Sequence, residues 1–150
     1  MKYLCLLFIL FAINANAQPL FKEKYKDCTL EKPCYYCGDA IASYKKGLSE
    51  RLQRSINNGQ HKWVGTNGNM YFEIEVDSTG HSCVRSIKDE IPMWDVKNVL
   101  TTSINNLYDW QPAILDGHPI NSTLILRIHF LGYQASFTFL PPDDPAILRH

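Results

Sequence analysis

Neither sign of charge prevails in this chain: fifteen Lys and Arg stand against fifteen Asp and Glu. Proteins that hold a phosphate backbone carry a surplus of cations, so nucleic acid is not an expected partner. Long apolar runs are also lacking. The one clear run covers residues 3–13 (YLCLLFILFAI) and is eleven residues long, whereas a membrane-spanning helix needs about 20. The sequence contains no G-x-S-x-G, no H-E-x-x-H and no glycine-rich phosphate loop, and its five histidines form no H-x-x-x-H pair. The usual marks of serine hydrolases, zinc proteases and nucleotide-binding enzymes are therefore missing. Internal repeats and low-complexity tracts are absent too.

What is present begins with an export signal. Lys2 precedes the apolar run, and Ala15-Asn16-Ala17 follows it. A positive start, a short apolar stretch and an A-x-A site predict a signal peptide over residues 1–17, cut after Ala17. The expected location is periplasmic or secreted, with no stable membrane anchor after cleavage. Four cysteines remain, Cys28, Cys34, Cys37 and Cys83, and an even number in an exported chain favours disulfides, with three connectivities open. Cys34-Tyr35-Tyr36-Cys37 also reads as a redox pair, which makes a thiol–disulfide oxidoreductase the alternative function. However, no apolar strand precedes the motif, as it does in that class. A zinc site would need a second C-x-x-C. No metal or cofactor is expected.

Residues 18–38 read as an irregular, cysteine-containing arm, 39–140 as one domain and 141–150 as a loose tail. Ile41, Tyr44, Leu48, Leu52 and Ile56 recur at helical spacing behind Asp39 as a cap. Gly47 costs about 1 kcal/mol inside a helix, so the helix can instead start near Leu48. From Met70 the period becomes two. Met70, Phe72, Ile74 and Val76 alternate with Tyr71, Glu73 and Glu75, predicting a strand with one apolar and one solvated face. Asp77-Ser78-Thr79-Gly80 predicts a hairpin turn, returning through Ser82–Ile87. Pro92 opens a second helix bearing Met93, Val96, Val99, Leu100, Ile104 and Leu107, which runs on towards Trp110 before Pro112 ends it. Trp110 is expected to pack at that helix end. A third strand covers Leu124–Phe130, and Ala135, Phe137 and Phe139 can make a short fourth.

The predicted fold is α+β in the order αββαβ: a small antiparallel sheet, both helices on one face, the first strand central, and an optional extra C-terminal strand. The second helix crosses between two parallel edge strands.

Residues 68–80 (GNMYFEIEVDSTG) resemble the first hairpin of TonB C-terminal domains, with a glycine, an alternating strand and Val-Asp-x-x-Gly. Trp110-Gln111-Pro112-Ala113, then Gly117-His118-Pro119, then a strand ending in Phe130 continue the resemblance in order. It covers about residues 47–130. The resemblance implies a periplasmic protein-binding module without catalytic residues, possessing an edge strand to which an extended segment of an outer-membrane transporter or other exported protein adds itself. Carried over residue by residue, that edge is Thr123, Leu124, Ile125, Leu126, Arg127, Ile128, His129 and Phe130. Main-chain groups would give affinity, and Ile125, Arg127 and His129 would set preference. Should residues 135–140 pair with this strand, they would cover the docking edge.

Overall fold

The computed structural model describes residues 20–24, 28, 33–58, 65–141 and 143–145. The predicted signal peptide, parts of the arm, the Gly59–Val64 segment and most of the predicted loose tail lie outside the described residues.

In chain order the elements are β1 (Glu23–Lys24), β2 (Ser43–Tyr44), α1 (Leu48–Asn58), β3 (Thr66–Val76), β4 (Ser82–Asp89), α2 (Trp94–Asn105), β5 (Trp110–Gln111), β6 (Ala113–Leu115), β7 (His118–Ile120), β8 (Ser122–Gly132) and β9 (Gln134–Leu140). The fold is α+β, with two helices and antiparallel sheets among the described residues. Five strands form the main sheet in the order β1-β4-β3-β8-β9. As expected, β3 is central, flanked by β4 and β8, with α2 crossing between them. The flanking strands are not edges, because β1 pairs with β4 and β9 pairs with β8.

Local chemistry accounts for the boundaries. Gly47 has φ +74, a left-handed conformation that breaks the helical stripe, so α1 starts at Leu48. Residues before Gly47 go instead to β2, which leaves Ile41 exposed. Gly80 closes the β3–β4 hairpin at φ +87, its N–H donating to the Asp77 carbonyl at 3.0 Å. A Cβ there would sit 2.5 Å from the carbonyl oxygen of Trp110, so only glycine fits. Asp116 and Gly117, at φ +50 and +77, form the two-residue turn joining β6 to β7.

Helix α2 stops at Asn105, earlier than the proline rule alone suggests, and Trp110 lies beyond it in β5. Its ring is buried and meets Tyr44 and Phe139 edge-on, at 5.2 and 6.0 Å between centroids. It thus packs between β2 and β9, not at the helix end. Val99 is only half-buried, whereas Lys97 is buried. The lysine stem covers apolar surface while its ammonium reaches Asp89 at 3.0 Å.

Both helices cover one face of the sheet. Leu52, Ile56, Val96, Leu100 and Ile104 pack with Met70, Phe72, Ile74, Val76, Leu126 and Phe130 in one cluster. The opposite face is not solvated as alternation predicts. Phe21, Tyr71, Ile125 and Leu140 form a second cluster there, with Leu20 and Tyr35 against it. The N-terminal arm lies across this face and shuts out water.

Candidate functional site

The resemblance implies a docking edge at Thr123–Phe130, but that strand is not an edge of the sheet. That strand is interior: β3 pairs with it on one side, and β9 covers its other side from Ile125 to Leu131. Thr123 is covered by the arm, its N–H donating to the Cys34 carbonyl at 2.8 Å and its carbonyl accepting from the Tyr36 N–H at 3.1 Å. Leu124, Leu126, Ile128 and Phe130 are core residues. The three residues expected to set preference are also engaged. Ile125 is fully buried in the second cluster, Arg127 is half-buried, and His129 Nδ1 lies 3.0 Å from Asn69 Oδ1. An exposed apolar edge strand is strongly disfavoured, and β9 covers this one.

Among the described residues, the open edge is therefore β9. Gly132 and Tyr133 form a two-residue loop, so Leu131 and Gln134 face each other as a doubly hydrogen-bonded pair. Alternation then turns the backbone groups of Ala135, Phe137 and Phe139 away from β8. Between β9 and α1 runs a groove of about 380 Å³, lined by Ser49, Glu50, Gln53, Ala135, Ser136 and Phe137. Glu50 is the one charged residue in that lining.

All four cysteines of the arm and β4 are paired, as Cys28–Cys83 and Cys34–Cys37. The sequence had left this connectivity open beside two others. Cys34 is exposed and Cys37 half-buried. The helix start that would stabilise a thiolate is not beside them, since α1 begins only at Leu48.

Glu73 and Glu75, expected on a solvated face, are 0% and 1% exposed. Glu73 Oε1 accepts from the Tyr35 hydroxyl at 2.5 Å. Its Oε2 accepts from the Leu20 N–H at 3.1 Å and from the Ser86 hydroxyl. Arg85 lies between the two carboxylates, 3.9 Å from Glu73 and 3.8 Å from Glu75. A register shift opposite Glu73 and Ile74 puts an extra residue into β4, and this bulge brings Arg85 to the same face as Ser86. No signal in the strand alternation marks it. Burial, together with the Glu73 carboxylate, pushes the Tyr35 phenol well above its ordinary range, so it stays a donor. Burial also raises Glu75 to about 7, against the pull of Arg85 and with the help of Glu73.

That shift has a pH consequence. An unfolded Glu titrates near 4.5, so between about pH 4.5 and 7 the folded chain retains a proton that the unfolded chain has lost. The contribution of Glu75 to stability therefore falls as pH rises through this window and stays low above it. A shift of this size corresponds to at most about 3 kcal/mol. The Glu75→Gln variant is expected to lose this slope and to be at least as stable as the parent at pH 8, as read from urea midpoints between pH 4.5 and 8. A variant clearly weaker at pH 8 would mean that the Arg85 pairing outweighs burial.

No described helix is long and apolar enough to cross a membrane, and paired cysteines fit an oxidising compartment. Among the described residues no group of His, Cys, Asp and Glu is placed to hold a metal ion. No protein-family model, no curated protein and no solved structure matches this chain.

Proposed function

We propose that this chain is an exported, periplasmic binding module of the TonB C-terminal type. It takes up an extended segment of an outer-membrane transporter or other exported protein along a sheet edge, and it performs no catalysis. One observation carries the reading: among the described residues the main sheet ends in β9, a seven-residue edge strand with no charged residue and no proline. Natural edges are normally blunted by such residues, and an unblunted one suits strand addition.

The docking strand is β9 and not the strand that the resemblance implies, since β9 has taken the place of an added segment on β8. A partner strand laid against Ala135, Phe137 and Phe139 would drop alternate side chains into the groove beside α1. The occupant is an extended segment with apolar side chains over Phe137 and a basic residue opposite Glu50.

Random-sequence peptides selected on the oxidised chain should show that alternation and that basic residue. Ala135→Pro removes an outward N–H without touching the β8 ladder, where proline is tolerated. It is expected to weaken peptide binding at least about tenfold, while Gln134→Ala leaves it unchanged. Equal affinity in the Ala135→Pro protein would remove the case for backbone docking at β9.

A further inference from the structure

Two segments laid end to end fill the outer side of β8. β9 covers Ile125–Leu131, and the Cys34–Tyr36 segment pairs in parallel at Thr123. Where they meet, one side chain joins them. The Tyr36 hydroxyl donates to the Leu140 carbonyl and accepts from the Ile125 N–H at 3.3 Å. Ile125 and Leu140 are the last pair of the β8–β9 ladder, so a phenol from the arm ties down its terminal rung.

Tyr36 reaches this rung from a left-handed backbone, φ +51, which is uncommon for a bulky residue and costs free energy unless the surroundings impose it. The Cys34–Cys37 disulfide brackets Tyr36 in a closed loop, and the Tyr36 N–H is held by the Thr123 carbonyl at 3.1 Å. Cys34 is open to solvent, whereas Cys28 and Cys83 are both half-buried. An incoming thiolate thus reaches the Cys34–Cys37 bond first.

We infer that Cys34–Cys37 is a redox-operated clasp on β9. With the bond closed, Tyr36 is held across the Ile125–Leu140 rung and the sheet presents β9 as its edge. A protein dithiol reductant opens it: the reductant's two thiols give up two electrons and two protons, its own disulfide forms, and Cys34 and Cys37 become thiols. The loop then relaxes, Tyr36 leaves the rung, and β9 frays from its Leu140 end. The open edge passes from β9 to β8, exposing Thr123–Phe130. The clasp stands on the contacts alone. Its consequence for partner binding rests on the edge-docking function proposed above.

Amide hydrogen exchange on the full chain, recovered oxidised and without partner, tests the clasp. Two variants are compared with the parent: Cys34→Ser/Cys37→Ser, and Tyr36→Phe, which keeps the disulfide. In both, the inward amides of Ser136, Thr138 and Leu140 are expected to speed up at least about tenfold more than those of Phe72 and Val84 in the sheet centre. Unchanged exchange in β9, or the same acceleration throughout the sheet, would overturn the clasp. Should the double serine variant fail to fold, exchange in the parent chain before and after treatment with a dithiol that opens Cys34–Cys37 but leaves Cys28–Cys83 closed takes its place, with the same outcomes expected. The selected peptides, titrated against the same proteins, separate the two claims. Lost β9 protection with unaltered affinity leaves the clasp standing and removes β9 as the docking edge.

Discussion

Replacing Glu73 by alanine is expected to destabilise the folded chain by about 3–5 kcal/mol, the range for breaking a buried charge network from one side. The carboxylate accepts three hydrogen bonds, from the Leu20 N–H, the Tyr35 hydroxyl and the Ser86 hydroxyl, and Arg85 sits 3.9 Å away. Its removal leaves donors with no replacement acceptor at a site closed to water. The loss would also spread. Leu20 and Tyr35 belong to the arm, so the cover over Tyr71 and Ile125 is loosened with them. Glu73→Gln keeps the shape and an acceptor oxygen and should recover part of the loss. Urea unfolding at pH 7 checks both variants. A loss under 1 kcal/mol for the alanine variant would show that the arm is held without this network.

The Cys28→Ser/Cys83→Ser variant is expected to lose about 4 kcal/mol, because the bond closes a long loop and restricts the unfolded chain by that amount in the loop-entropy picture. The cysteines are 55 residues apart in sequence. The bond fastens the arm to β4 beside the buried carboxylates, with Cys28 Sγ 3.7 Å from Glu75 Oε2. Severing it should therefore also bind more of a dye that reports exposed apolar surface, as the Phe21 and Tyr71 cluster opens. A calorimetric unfolding scan beside the dye titration reads both effects. Undiminished stability with no added dye binding would mean that β1 pairing and the Glu73 contacts hold the arm without the bond.

These two expectations concern the face of the sheet that the sequence reads least well. Alternation in residues 70–76 correctly separates Met70, Phe72, Ile74 and Val76 from Tyr71, Glu73 and Glu75. It cannot say what lies over the second set. Polar residues at every other position are solvated on most antiparallel sheets, and here they are covered because a distant arm crosses them. The bulge at Arg85 is hidden for a similar reason. It adds one residue to β4 and so depends on how two strands are paired, not on either strand's own pattern.

The edge of the sheet shows the same division. Ala135, Phe137 and Phe139 carry enough alternation to mark β9 as an optional strand, and the prospect that it would cover β8 is legible. Whether it pairs is decided by the tight Gly132–Tyr133 turn, by packing of Phe137 on the main core and by Tyr36 at the last rung. Tyr36 itself gives no sequence signal, since its role depends on a contact with Leu140 at the other end of the chain.

What the sequence determined by itself is local. Period-two and helical spacing located both helices and the long strands, Gly80 marked the turn between two of those strands, and the cysteine count pointed to two bonds. These follow from steric preferences and side-chain direction within a few residues. Tertiary structure alone decided which cysteines pair, which face of the sheet is dry and which strand is left at the edge. Each of those outcomes depends on segments far apart in sequence competing for the same partner groups, and no short window of residues records who wins.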